Sequence, residues 1–187
     1  MLLFLSSAIY PRHDALFLQI YTGFGSISAF LLIGAAMDKM DRKLLDLVQR
    51  NNRLTTTELG EKAGLSATSC QRRLHRLREE GAIEKDVSLL SPAAIGRPLV
   101  IIVEVTLERG DSEPNDRFTR LMKICDEVCQ CYAVTGRADF ILVLTMKDMD
   151  EYDHFSRRHL FDNPDVKNFE TIVVKSRIKV GFEMPLR

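Results

Sequence analysis

No excess of charge marks this chain. Its 26 basic and 26 acidic residues cancel, so it lacks the global polycation signature of many nucleic-acid or membrane-surface binders. Cysteine is sparse: four in 187 residues do not build a disulfide framework in a chain of this size, which points to a reduced, cytoplasmic protein. Cys125, Cys129 and Cys131 cluster but lack the two-pair spacing of a zinc site. Buried free cysteine packs like a small hydrophobe, so neither a metal nor a cofactor is expected. The four histidines, His13, His75, His154 and His159, are scattered. His154 and His159 are five apart and fall on different faces of a helix, not on the i, i+4 pair of a metal-binding helix. Neither a glycine-rich phosphate loop nor a nucleophile elbow occurs. No enzymatic constellation remains, although a fold can host catalysis without a motif. An amino-acid-binding or metabolic enzyme domain therefore stays open as the rival class.

Charge is nevertheless unevenly placed. Met40–Lys85 carries 10 basic and 7 acidic residues, whereas Asp86–Arg187 carries 14 and 17. A basic front half and an acidic back half suit a nucleic-acid-facing part joined to a part with another task. The front half is organised around Thr55–Gly81 (TTTELGEKAGLSATSCQRRLHRLREEG). Thr55 with Glu58 three residues on is a capping box. Leu59 and Ala63 point inward, Gly64 breaks the helix, Leu65 plugs the turn and Ser66 is placed to cap the next helix. On that second helix Cys70, Leu74 and Leu77 form one apolar stripe. The opposite side holds Thr68, Ser69, Arg72, His75 and Arg76. A short helix anchored on one face, with cations and hydroxyls on the other, has what a major-groove reader needs. An ordinary amphipathic surface helix would show the same stripe, and Glu79 and Glu80 keep that reading open. Ahead of it, Asp38 as N-cap and Asp41 at the third position open a first helix with Leu44, Leu45 and Val48 inward. The spacing predicts helices over 39–50, 56–63 and 67–80, a plain or winged helix-turn-helix domain spanning 37–83. Gly81 is its stop, and Ala82–Leu90 reads as a short strand and connector within a linker over 84–98.

Residues 1–36 differ from the rest. Ala15–Met37 contains no charged residue and is long enough to span a bilayer. It reads as a membrane anchor, with Lys39, Arg42 and Lys43 on the cytoplasmic side, or as upstream sequence translated in frame ahead of a start at Met37. The extension reading is favoured, because it leaves the Asp38 cap in place.

From residue 99 onward strand and helix alternate. Leu99, Ile101, Val103, Val105 and Leu107 share one face of a strand. Glu113–Glu127 is a predicted helix, and Val128–Thr135 and Asp139–Met146 are predicted strands around the tight turn Gly136-Arg137-Ala138. Asp148–Phe161 follows as a helix and Val166–Ile178 as a strand. The order β-α-β-β-α-β is the ferredoxin-like split motif, so the chain is α+β overall. Val100 and Ile102 lie on the back of the first strand, and both faces of Phe140–Met146 are apolar. Two helices cover one side of a four-stranded sheet, and a side open to water should alternate with polar residues. A second copy over the other face, as a homodimer, would also set two recognition helices on one double-stranded DNA.

Asp38-x-x-Asp41-Arg42-Lys43-Leu44-Leu45, Gly64-Leu65-Ser66, Cys70-x-x-Arg73-Leu74-x-x-Leu77, Gly81-x-Ile83 and Val134-Thr135-Gly136-x-x-Asp139-Phe140 together resemble the Lrp/AsnC family of transcriptional regulators. The similarity runs from about Met37 to the end. It implies a DNA-binding regulator whose ferredoxin-like domain over 99–187 both oligomerises and senses a small ligand, commonly an amino acid. It also implies dimers that assemble into larger rings, an octamer among them. On this resemblance Ser66–Arg76 is the DNA-reading segment. Arg73 matches the family arginine of the recognition helix, its place on the flank of the buried stripe suiting a structural or phosphate role. Arg72 departs from the acidic residue of some relatives. The loop Thr135, Gly136, Arg137, Ala138 and Asp139 matches the effector loop. Gly136 leaves N–H groups free for a carboxylate and Asp139 can pair with an ammonium, although a plain β-turn in which Asp139 caps backbone donors fits the same residues. Ala138 replaces the aromatic residue of many relatives. Thr171 and Val173 on the last strand are weaker candidates for the opposite wall.

Overall fold

The computed structural model describes residues 37–108 and 113–186. The anchor and extension readings of residues 1–36 lie outside the described residues. No helix among the described residues is long and apolar enough to cross a membrane. The chain divides into two compact units, one reaching to Val87 and taking in the segment from Phe182, the other spanning Ser88–Gly181.

The first unit is three helices, α1 (Lys39–Arg50), α2 (Thr56–Ala63) and α3 (Ala67–Glu79). Each starts at a polar N-cap, because the first turn of a helix has N–H groups without intrahelical partners. Asp38 accepts from the Asp41 N–H at 2.8 Å while Asp41 accepts from the Asp38 N–H at 3.1 Å. Thr55 and Glu58 form the same reciprocal box on α2, and Ser66 accepts from the Ser69 N–H at 3.2 Å on α3. Gly64 closes α2 at φ +77°, a backbone region that L side chains rarely adopt. Leu44, Leu59, Ala63, Cys70 and Leu74 form the core, with Leu47, Val48, Leu54, Leu65 and Ile83 packed against it. The Gln49 side chain pairs with the backbone of Met184, donating to its carbonyl at 3.0 Å and accepting from its N–H at 2.9 Å. Ala82–Leu90, expected as a short strand, forms none. Its backbone finds no ladder partner among the described residues, and a strand needs one.

The second unit is a four-stranded antiparallel sheet in the order β2-β3-β1-β4, with β1 at Leu99–Leu107, β2 at Val128–Ala133, β3 at Phe140–Met146 and β4 at Val166–Val173. Helices α4 (Glu113–Ile124) and α5 (Met149–Ser156) connect the strands, and α5 runs on into a π-helical turn, Arg157–Phe161. Strict alternation builds the core. Ile101, Val103, Val105 and Leu107 of β1 and Phe140, Leu142, Leu144 and Met146 of β3 are buried with Phe118, Met122, Tyr152, Phe155 and Leu160 from the helical layer. β4 is shorter than the predicted Val166–Ile178 because its partner runs out: Val173 lies opposite Ile101, and β1 begins two residues earlier. The other sheet face carries half-buried Val100, Ile102, Ile141 and Val143, and Ile172 and Tyr132 are exposed there.

Candidate nucleic-acid interface and ligand loop

The stripe Cys70, Leu74 and Leu77 of α3 is buried, which turns the opposite face to solvent. Ser66, Thr68, Gln71, Arg72 and His75 are exposed, and Ser69 is half-buried. Arg72 makes no ion pair among the described residues, and His75 faces Glu79 at 3.8 Å. Gln71 was not singled out from the sequence, although one helical step from the stripe placed it on the outer face.

Arg73 and Arg76 differ from Arg72. Arg73 Nη1 donates to Asp38 at 2.6 Å and to Asp41 at 2.8 Å, and Arg76 Nη2 donates to the other oxygen of Asp41 at 2.6 Å. Arg76 also reaches Glu80 at 3.4 Å. Asp41 is 1% exposed, so both cations converge on one buried carboxylate that also caps α1. Burial pushes this carboxyl up; the hydrogen bonds from Arg76 and Arg73 outweigh that and leave it below the ordinary aspartate value. Asp38 is lowered as well, first by the Asp41 N–H and then by Arg73. The network ties α1 to α3 and so sets the pose of the exposed face. The outward cation expected at Arg76 is turned largely inward, because a buried carboxylate thirty-five residues upstream draws it there. Spacing along α3 alone carries no sign of that; the only signal was an acid at the third position of α1.

Gly60 is a further position that sequence reasoning passed over. Its carbonyl accepts from the N–H groups of Gly64 and Leu65 at 2.8 and 2.9 Å. A Cβ there would lie 2.5 Å from the Leu65 carbonyl oxygen. The tight turn between α2 and α3 requires the missing side chain.

In the second unit the loop between β2 and β3 is tied down by its neighbour β1. The Asp139 N–H donates to the Val105 carbonyl and Val134 donates to the Asp139 carbonyl, both at 2.9 Å. The Asp139 carboxylate accepts from the Leu107 N–H at 2.8 Å. Arg137 pairs with Glu104 at 2.8 Å, and its carbonyl accepts from Thr106 at 3.3 Å. Gly136 has φ +150°, and Thr135, Gly136, Arg137 and Asp139 are exposed while Ala138 is buried. Within one chain Asp139 therefore acts as a backbone cap with one carboxylate oxygen. Thr171 sits elsewhere: it lies opposite Val103, on the helix-covered face, hydrogen-bonded to the Tyr152 hydroxyl. Val173 is opposite Ile101, further still from the loop. The larger open cleft described, about 910 Å³, lies around Glu127, Lys147, Glu151, His154 and Arg158 and does not include the loop. Cys125 contacts the His159 ring at 3.9 Å, Cys129 contacts the Thr145 hydroxyl at 3.2 Å, and burial raises the Cys125 and Cys131 thiols.

Comparisons with known proteins match each of the two units to a family. The AsnC-type helix-turn-helix domain matches residues 37–78, and the Lrp/AsnC ligand binding domain matches residues 100–184. An HTH-type transcriptional regulator of Sinorhizobium fredii is 52% identical over 150 residues, covering 80% of this chain and 89% of that protein. The leucine-responsive regulatory protein of Haemophilus influenzae is 35% identical over 144 residues, covering 77% and 87%. Among solved structures, a transcriptional regulator of Neisseria meningitidis in complex with L-methionine superposes with a TM-score of 0.77 at 31% identity, covering 81% of this chain and 97% of that one.

Proposed function

The chain belongs to the Lrp/AsnC family of transcriptional regulators, and on that premise we propose that it binds operator DNA through α3 and adjusts that binding to an amino acid. The observation that carries the reading is the division of labour on α3. Asp41 holds Arg73 and Arg76, while the side chains of Thr68, Gln71 and Arg72 project without a polar partner among the described residues from a helix whose pose is thereby fixed. Arginine forks onto guanine or grips phosphate, and hydroxyls and amides reach bases or phosphates. Ser66, Thr68, Ser69, Arg72 and His75 are assigned to the DNA, and Arg73 and Arg76 to holding α3 while offering their remaining N–H groups to phosphates. Dimers close over the open sheet face of Val100, Ile102, Ile141 and Val143, which gives one complex two α3 helices.

The ligand is assigned to Thr135, Gly136, Arg137 and Asp139; Thr171, bonded to Tyr152 on the helix-covered face, is not part of that site. The relative from Neisseria meningitidis in complex with L-methionine supports an amino acid. The loop lines neither of the clefts described, so a second copy would supply the missing wall. Ligand binding at such a junction shifts the assembly, and through it DNA affinity, by differential affinity for its states.

Fluorescence anisotropy of the chain from Met37 to Arg187 on DNA from upstream of its own gene, at fixed salt and with random competitor, tests both parts. Salt is fixed because phosphate contacts make affinity steeply salt-dependent. Specific binding that moves with a pool of the twenty amino acids is expected. Specific binding that ignores the pool removes the amino-acid assignment, and no preference over random DNA removes the operator reading and reopens the enzyme class.

A further inference from the structure

The three helices of the first unit are capped at the same two positions but with different chemistry. On α1 the N-cap and the third residue are Asp38 and Asp41, on α2 Thr55 and Glu58, and each third-position carboxylate accepts from the N-cap N–H. On α3 the pair is Ser66 and Ser69, and the first turn holds no acid. A carboxylate there would complete the capping box and suit the helix dipole. Without it the positive end of α3 carries no competing anion of its own. The acids of α3 stand at the other end, at Glu79 and Glu80. Phosphates are attracted to the first end and repelled by the last, so the N-terminal half of α3 is the part that enters a groove.

Pairing within the chain narrows the choice of base-reading side chains. Arg73 and Arg76 are held by Asp41, Arg78 by Asp86 at 3.0 Å, and His75 faces Glu79. The Ser66 hydroxyl caps the helix. Thr68, Gln71 and Arg72 are exposed, and their side chains meet no polar partner among the described residues. Their spacing of i, i+3 and i+4 makes them one strip on the helix surface. That strip lies in the N-terminal half of α3, where a helix in the major groove meets base edges.

The three side chains differ in what they can recognise. The Gln71 amide presents a donor beside an acceptor, which matches the N6 amino group and N7 of adenine. The Arg72 fork presents donors only, which matches O6 and N7 of guanine. The Thr68 methyl suits the thymine methyl. We propose that Gln71 and Arg72 set the operator's sequence, each half-site carrying an A·T pair read by Gln71 next to a G·C pair read by Arg72. Thr68, one turn before Arg72, packs against a thymine methyl beside them. Ser66, Ser69 and His75 then fall to the sugar–phosphate backbone, which positions α3 without carrying sequence information. This rests on the operator reading above and adds which bases the operator contains and which side chains select them.

The test is selection from a pool of randomised duplexes by the full chain, at fixed salt, repeated with three variants. The unaltered chain is expected to enrich a half-site with neighbouring A·T and G·C pairs. Gln71→Ala should reduce the preference for A·T at its position by about fivefold or more, and Arg72→Ala the preference for G·C at the next. Gln71→Arg should change the preferred pair at the first position from A·T to G·C, a gain that a misfolded variant cannot give. An enriched sequence whose A·T preference survives Gln71→Ala, or stays A·T in Gln71→Arg, overturns the proposal and leaves the operator reading standing. So does a Gln71→Ala chain that keeps its helicity but loses binding to random DNA as well, since a base contact leaves the phosphate contacts in place. A chain that enriches no sequence overturns both.

Discussion

The two units hold their functional residues in opposite ways. The helix-turn-helix unit has a small apolar core and relies on a buried carboxylate, Asp41, to fix its recognition helix. The sheet unit has a larger core, thirteen buried residues among those described, and ties its exposed loop down through backbone bonds to β1. In a small domain with little apolar area, an ion-paired network can set the geometry and thereby decide which cations remain free. In the larger unit packing sets the geometry, and the loop is left to vary.

The comparison breaks most sharply at Asp41. Asp41→Ala leaves Arg73 with Asp38 alone and Arg76 with Glu80 alone, and we expect the helix-turn-helix unit to lose about 2–3 kcal/mol from the charged hydrogen bonds removed while the sheet unit keeps its own transition. Calorimetry with two resolved transitions checks this. A joint shift of both would show that the units do not act separately. Gly60→Ala comes next, at about 2 kcal/mol from the clash with the Leu65 carbonyl, confined to the same unit in hydrogen exchange. The acid limb follows from the lowered Asp41 and Asp38 carboxyls. Their contribution is fully present above the unfolded value near 3.8 and is lost as pH falls through the lower folded value. A pH titration of helicity should therefore show the first unit losing stability below about pH 3.8, and Asp41→Asn should flatten that limb.

Arg72→Ala separates the two kinds of arginine. It should change stability by less than about 0.5 kcal/mol yet cost about 1–3 kcal/mol of operator binding, read by anisotropy at fixed salt. Arg73→Ala should instead lower stability and DNA binding together. The smallest effect is expected at the loop. Asp139→Asn keeps an acceptor for the Leu107 N–H and so costs under about 1 kcal/mol of stability, but should abolish the amino-acid response while leaving basal DNA binding. An unchanged response would place the ligand elsewhere.

Helices α1 and α2 and the β-α-β-β-α-β order were legible because capping boxes, glycine stops and apolar periods are local signals. The ends of elements were less so. β4 stops where β1 offers no further partner, and α5 passes into a π turn at Arg157–Phe161 that carries His159 and Leu160 inward. Neither event is encoded in the segment that shows it. The same holds for the sites. That α3 has an exposed polar face could be read from Cys70, Leu74 and Leu77. That Arg76 belongs to Asp41 and Thr171 to Tyr152 could not, since each pairing joins elements far apart in sequence.

What the sequence by itself determined is therefore the set of local choices: where helices start, which residues face inward, which strands alternate. Those depend on hydrogen bonds and side chains a few residues apart. Which arginines are tied up, where the last strand ends, and which loop atoms Asp139 caps were decided only by the tertiary structure. Each rests on a charge or a backbone group whose partner is brought close by folding, and at short range in a low-dielectric setting that partner outweighs the preferences of the segment itself.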